Sequence, residues 1–404
     1  MTPPHAGEAV PRPSGEETPA ESSTAEALPG LFLMIDSLQT GGSERQFAAL
    51  SRSIDEKSFR LHLGCIQAKG AFLDELENIQ RFPLGGSLYG LQAGRTLLRL
   101  RSHLRQQNVA VAHAFDFYTN VVLVPAAKLA RVPVVVGSQR QLGDLLTPAQ
   151  SRVQMTMFRW CDAVICNSRA AANGLVDRGL PERKITVIWN GLPEAAFAET
   201  APALPKVPGS LRVGMIARMN TPAKNHALFL RVAARLSLEF PQAEFVIAGD
   251  GPLRKKVEAE AAHLALGERV RFLGDRRDVP AVFTSLDLSV LPSASESLSN
   301  AILESMAAGV PVVASRVGGN SELVSGDRGI LVPVGDEIGL TAAVATLLRD
   351  GDLRRQMGSN CRRFAREHFM LETMRKAHEK LYADLLARKQ WRAHRSKQAT
   401  EASA

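Results

Sequence analysis

Residues 288–324 read LSVLPSASESLSNAILESMAAGVPVVASRVGGNSELV. The apolar run Leu288–Leu291 is short and is stopped by Pro292, which predicts a buried strand. A loop of small hydroxyl residues follows. A helix is expected over Asn300–Ala308, starting beside Ser299. A second strand, Val310–Ala314, comes next, and Gly318-Gly319 precedes another helical start. Strand, helix and strand in this order make a parallel crossover unit, and such sheets bind ligands at the loops leaving the carboxyl ends of their strands. Glu296 sits in that loop and Glu304 in the second helical turn. Backbone N–H groups at the helix start can receive an anion or a hydroxyl-bearing group. A carboxylate there can accept hydrogen bonds from two neighbouring sugar hydroxyls. The two glycines permit close backbone approach or a positive φ. On spacing alone, an ordinary crossover with solvated glutamates remains open.

The same alternation extends outward in both directions. Toward the C-terminal half, strands are expected at Leu211–Ala217, Glu244–Ala248, Val270–Leu273 and Ile330–Val332. Helices are expected at Lys224–Leu238, Leu253–Leu264, Ile338–Leu348 and Leu353–His368. Upstream, strands are expected at Leu31–Asp36, Leu61–Ile66, Val109–Ala112, Val132–Val136, Ala163–Cys166 and Ile185–Ile188, with amphipathic stretches between several of them. Between the halves, Pro202, Pro205 and Pro208 interrupt residues 196–210 and disfavour a helix or central strand. The expected fold class is α/β, with two doubly wound Rossmann-like domains over residues 30–200 and 201–370. A helix over 371–387 is expected to pack back toward the first domain. Residues 388–404 read as a basic and then polar tail. Residues 1–29 are rich in Pro, Glu, Ser, Thr and Ala, a composition that predicts disorder.

Composition narrows the function classes. The chain has 404 residues and is 45% apolar, enough for two ordinary cores. Aromatic residues make up only 5%, which argues against stacking platforms for single-stranded nucleic acid. The formal net charge of +8 suits an acidic lipid surface or a phosphorylated ligand, and equally a soluble protein with a basic tail. No nucleic-acid recognition motif accompanies that charge, so no nucleic-acid partner is expected. The cysteines Cys65, Cys161, Cys166 and Cys361 form neither a zinc knuckle nor a Cys-x-x-Cys pair, which fits a reducing compartment. The first residues lack a basic segment followed by an apolar run, so a cytoplasmic location is expected. No apolar stretch is long enough to span a bilayer.

Two further segments carry chemistry. LRVGMIARMNTPAKNHALFLRVAARL, residues 211–236, delivers Arg218 to a strand end and places Lys224 six residues on. An arginine fork and a compact ammonium in one loop can both face a diphosphate. FVIAGDGPLRKKVEA, residues 245–259, places Gly249-Asp250-Gly251 in a turn after a strand. It is neither a dinucleotide fingerprint nor a Walker loop.

Taken together, these segments resemble the retaining glycosyltransferases of family 4, the "glycosyl transferases group 1". Glu296-Ser-Leu-Ser-Asn-Ala-Ile-Leu-Glu304 resembles that family's Glu-x7-Glu motif, and residues 307–324 match its continuation. Arg218 and Lys224-Asn225 resemble its Gly-Arg…Lys-Asn motif, with Ala217 in the place of the glycine. Residues 249–252 resemble its Gly-x-Gly-Pro element. The resemblance covers roughly Leu31–Leu386 and is sharpest over Arg218–Glu322. It implies a GT-B fold, with the two domains facing across a cleft. It also implies a nucleoside-diphosphate sugar as donor, with Glu304 on the ribose and Glu296 beside the sugar. The backbone of Ser297, Leu298 and Ser299 would lie along sugar and phosphates, and Arg218 and Lys224 would face the departing diphosphate. Gly249 would shape the nucleotide edge. The family commonly has Gly-Phe after the first glutamate, where this chain has Ser297-Leu298.

In the first half, Gly41-Gly42 resembles the glycine pair whose loop approaches the donor phosphates, although a glycine-rich turn capped by Ser43 is the plain alternative. His113 is expected at a strand's carboxyl end near the donor sugar, with a satisfied core histidine as the alternative. Arg140 is expected to reach acceptor or diphosphate, while Asn167-Ser168 and Asn190-Gly191 read as structural turns.

The resemblance implies front-face transfer with retention and without a covalent intermediate. No Asp-x-Asp metal motif stands in a convincing loop, so transfer is expected to be independent of metal and to need no bound cofactor. A glycan or lipid-linked saccharide acceptor is expected, as in surface polysaccharide, lipopolysaccharide or glycolipid synthesis, with a uridine-linked donor. Peripheral contact with an anionic membrane is expected through Arg95, Arg99, Arg101 and Arg105 or through the basic tail. A nucleotide-sugar hydrolase or epimerase and a non-catalytic nucleotide-sugar-binding protein are the competing functions.

Overall fold

The computed structural model describes residues 28–86, 90–205 and 207–401. The expectation of disorder for residues 1–29 falls almost wholly outside them. Two all-parallel sheets form. The first contains β1 (Gly30–Ile35), β2 (Arg60–Cys65), β3 (Ile79–Arg81), β4 (Val109–Ala114), β5 (Val134–Gln139), β6 (Ala163–Cys166) and β7 (Ile185–Val187), in the order β3-β2-β1-β4-β5-β6-β7. The second contains β8 (Leu211–Ile216), β9 (Ala243–Ala248), β10 (Val270–Gly274), β11 (Leu288–Leu291), β12 (Val312–Ser315) and β13 (Gly329–Val332), in the order β10-β9-β8-β11-β12-β13. In both sheets the order reverses beside the first strand, between β1 and β4 and between β8 and β11. Those two switch points are where such sheets open a crevice for ligands.

The strands are apolar on both faces because helices cover both. In the first sheet Phe32, Met34, Ala112, Ala114, Val135 and Val164 belong to one core. Leu31, Leu33, Ile35, Val111, Val134, Val136 and Ile165 belong to the other. The second face is closed by Phe47 and Leu50 of the helix Gly42–Ser53, and by Met374, Tyr382 and Leu385 of the last helix. The chain's end thus returns to its first sheet. The two crossings between domains run side by side: Leu192 N donates to Phe369 O at 2.7 Å and Leu371 N to Leu192 O at 2.8 Å. Gly191 is what permits this approach, since a Cβ there would lie 2.7 Å from Leu371 Cα.

Several expectations need correction. The three-residue edge strand β3 is too short to show a period and was not anticipated. The last helix does not give way to a tail near residue 388 but continues from Leu371 to Glu401. Its Ala, Arg, Lys and Gln residues favour helix, and no glycine or proline stops it. Lys224 does not begin the helix after β8. It ends a short 3₁₀ turn, Pro222–Lys224, and Asn225 at φ 59° separates that turn from the helix His226–Glu239. Ser43 does not cap the helix Gly42–Ser53, whose N-cap is Gly41.

Candidate active site

The cleft between the two sheets' carboxyl ends has a volume of about 640 Å³. Its lining includes Gly41, Gly42, Arg218, Lys224, Gly249, Glu296, Ser297, Leu298, Ser299 and Glu304. These residues come from the loops after β1, β8, β9 and β11 and, for Glu304, from the helix Asn300–Ala307.

The second domain supplies the charged wall. Arg218 follows β8 and, among the described residues, makes no side-chain hydrogen bond or ion pair. Lys224 Nζ donates to Glu296 Oε1 at 2.6 Å. The loop after β11 is held by Ala294 N, which donates to Ala223 O at 2.7 Å, and by Gly319 N, which donates to Ser297 O at 2.8 Å. Gly318, at φ +48°, passes so close that a Cβ would lie 1.8 Å from Glu296 O. Only glycine tolerates both the angle and the contact. Ser299 caps the helix Asn300–Ala307 by accepting from Ile302 N at 3.3 Å. The free N–H groups of that first turn therefore face the cleft. Glu304, one turn deeper, is largely enclosed, with 13% of its side chain exposed. Burial raises its carboxyl above the usual range, and the Arg45 guanidinium pulls in the opposite direction. Gly249, at φ +134°, lies against Ala217 O, where a Cβ would intrude to 2.2 Å. The neighbouring Asp250 is tied to Arg254 at 2.7 Å and so turns away from ligand chemistry. Arg276 lines the cleft, but its guanidinium is engaged by Asp278.

The first domain supplies the opposite wall. Ser297 Oγ donates across the cleft to Asn167 Oδ1 at 2.5 Å and lies 3.2 Å from Ser168 Oγ. Its side chain and its carbonyl are therefore occupied, leaving its backbone N–H to face the cleft. Asp116 caps the helix Phe117–Ala130 and also accepts from Asp36 N at 2.7 Å, so it ties the β1 and β4 loops together. Burial pushes its carboxyl up to about 7. Arg140 follows the end of β5 and lines the cleft. Its Nη2 donates to Asn190 Oδ1 at 2.8 Å, its guanidinium lies 4.6 Å over the Phe115 ring, and burial lowers it to about 10.

His113 is not brought into the cleft. It lies inside β4 rather than beyond its end, and the period of two points it toward the same face as Val111. That face is covered by the last helix. His113 Nδ1 is 2.7 Å from Tyr382 Oη, and Nε2 is 2.7 Å from Ser138 Oγ. The ring is fully enclosed, and burial holds its pKa well below the ordinary histidine value. Both nitrogens are satisfied by the protein, which matches the core-histidine alternative. All four cysteines are free and buried. Among the described residues no group of three His, Cys, Asp or Glu side chains could hold a metal ion. No helix among them is long and apolar enough to cross a membrane.

Comparison with known proteins extends this geometry. Residues 40–195 match the family model "Glycosyltransferase Family 4", and residues 210–350 match "Glycosyl transferases group 1". A lipopolysaccharide core biosynthesis mannosyltransferase of Rhizobium leguminosarum bv. viciae is 31% identical over 257 residues, which cover 60% of this chain and 71% of that protein. The chain belongs to the group 1 and family 4 glycosyltransferases. The N-acetyl-alpha-D-glucosaminyl L-malate synthase of Bacillus anthracis is 37% identical over 145 residues, which are 36% of this chain and only 38% of that protein. Anabaena HepE, solved in complex with UDP and glucose, superposes with a TM-score of 0.77 at 23% identity, covering 88% of this chain and 99% of the other. That superposition establishes the GT-B architecture. This glycosyltransferase is accordingly an enzyme of sugar transfer.

Several contacts between the glycosyltransferase's two domains, in the cleft and beside it, were not anticipated from the sequence. Arg45 pairs with Glu304 across the two domains. Glu322 accepts from Arg169 N and Ala170 N, both at 3.0 Å, and from Trp189 Nε1 at 3.1 Å. Asn190 Nδ2 donates to Asn300 Oδ1 at 2.7 Å. Only the run of polar residues just after Gly41-Gly42 hinted at any of these contacts.

Proposed function

We propose that this glycosyltransferase is retaining and moves a sugar from a uridine-linked donor to a glycan or lipid-linked saccharide in surface polysaccharide or glycolipid synthesis. The convergence of Arg218, Lys224, Glu296 and Glu304 on one cleft carries this reading. Residues 201–370 hold the nucleotide sugar, and residues 30–200 present the acceptor. Glu304 receives the ribose hydroxyls and Glu296 orients the sugar. As the acceptor hydroxyl attacks C1 from the face the diphosphate leaves, charge grows on the diphosphate oxygens. Arg218, Lys224 and the N–H groups near Ser299 stabilise that charge more than they stabilise the intact donor. The free Arg218 cation and the Lys224 ammonium do this work without a metal. Gly41-Gly42 lets the opposite loop approach the phosphates. The relatives whose names mention lipopolysaccharide and a diphosphoundecaprenol-linked acceptor support the acceptor class. HepE's bound UDP supports the base.

Membrane contact, as part of this proposal, falls to the helix Leu91–Gln106. Leu91 and Leu98 are exposed beside Arg95, whereas Arg101 and Arg105 are engaged with carbonyls of Leu129 and Ala130.

Diphosphate release from a panel of nucleotide sugars, with and without lipid extract, tests the proposal. Release from one donor only in the presence of extract supports it. Donor loss without any acceptor would point to a hydrolase or epimerase. A product with inverted anomeric configuration by NMR would overturn retention.

A further inference from the structure

The turn that follows Gly41-Gly42 does more than approach the cleft. Arg45 places its guanidinium on the Glu304 carboxylate, a pair 259 residues apart in sequence. Glu44 folds back over Gly41, where a Cβ would lie 2.2 Å from Glu44 Oε2. There its carboxylate feels the charges of Arg218 and Arg140, while burial raises its pKa. Gly42 O accepts from Asn300 Nδ2 at 3.0 Å, fastening the turn to the start of the helix Asn300–Ala307. Two parts of the opposite wall, Glu304 and the start of the helix Asn300–Ala307, are thus held by one turn of the first domain.

We infer that residues 42–45 act as an internal stand-in for the nucleotide, so that donor binding is an exchange of ligands rather than entry into an empty site. The inference rests on the proposed reading of Glu304 as ribose ligand. The chemistry of the turn matches that of the donor. Ribose hydroxyls offer hydrogen-bond donors to Glu304, and so do the N–H groups of Arg45.

Such a stand-in satisfies charges that an empty cleft would leave buried and unpaired. It also lowers the apparent affinity for nucleotide, because the binding-competent state is only part of the population. Removing Arg45 should therefore tighten binding, the opposite of what removal of a donor-contacting cation would do.

The full chain is titrated with UDP, GDP and ADP by isothermal calorimetry, as wild type and as Arg45→Ala, Arg45→Gln and Glu304→Gln. Arg45→Gln keeps most of the side chain's packing. The nucleotide best bound by the wild type should bind both Arg45 variants about three- to tenfold more tightly. Glu304→Gln should bind it more weakly. Unchanged or weaker binding by the Arg45 variants, with Glu304→Gln still impaired, would overturn the exchange and leave the ribose role of Glu304 intact. Unimpaired Glu304→Gln would overturn the ribose role itself. No binding of any nucleotide by any variant would overturn both.

Discussion

Lys224 Nζ lies 2.6 Å from Glu296 Oε1, joining the loop after β8 to the loop after β11. The pair sets the cation beside the carboxylate assigned to the sugar, at the position where the glycosidic bond would break. Loss of one strong contact to a developing oxyanion typically costs a factor of about 10²–10³ in kcat. Lys224→Ala is expected to lose activity on that scale, and Arg218→Ala likewise. Steady-state release of nucleoside diphosphate checks both. Wild-type kcat/KM in either variant would remove that residue from the leaving-group site.

Gly318 touches the carbonyl of Glu296 at a positive φ, so its substitution acts on the sugar loop without altering a charged group. Gly318→Ala is expected to destabilise the fold by roughly 1–3 kcal/mol. It should also lower turnover, because the loop carrying Glu296 must shift. Thermal denaturation together with donor turnover provides the test. A variant as stable and active as wild type would show that the loop yields freely.

Glu322 couples the domains at a point away from the donor. Its carboxylate accepts from the start of the helix Arg169–Asp177 and from Trp189. These three partly exposed hydrogen bonds to a charged group together join the domains, so Glu322→Ala should favour the open arrangement of the domains. A larger radius of gyration by small-angle scattering and a raised donor KM are the expected results. An unchanged radius would place closure elsewhere.

His378 and His113 are both enclosed between the last helix and the first sheet. Burial lowers His378 to about 4 and His113 well below its ordinary value. Both are therefore neutral in the fold yet take up a proton when the chain unfolds below about 6.5. The unfolded state binds more protons in this window, so stability is full above pH 6.5 and falls as the pH drops toward 4. Each histidine contributes a slope of up to about 1.4 kcal/mol per pH unit. His378 Nδ1 faces Met374 O at 2.9 Å, while Nε2 has no partner among the described residues. His378→Asn should therefore flatten the acid limb of a denaturation series by about one proton. An unaltered slope would mean that His378 does not report on unfolding.

The strands other than β3 were legible along the chain because each is a short, largely apolar run set off by Gly, Pro or polar loops, and a buried parallel sheet requires that pattern. Glu296, Glu304, Arg218 and Lys224 were legible for a related reason. Their spacing around strand ends and a helix start is local, and local geometry follows from nearby residues. His113 shows where this stops. Its neighbours identify a strand, but whether its ring meets a sugar or a tyrosine depends on a helix 269 residues later. The last helix also outran its expected end, since propensity alone determines where an uncapped helix stops.

The sequence by itself determined two domains of alternating strands and helices and the chemical types that gather at their strand ends, because strand period, glycine freedom and loop position act over a few residues. Only the tertiary structure decided which charges meet across the cleft. Arg45 with Glu304, Trp189 with Glu322 and Asn190 with Asn300 are pairings between separate domains. No local pattern encodes them, since they arise only when two independently packed cores are brought face to face by the paired crossings at Leu192 and Met370.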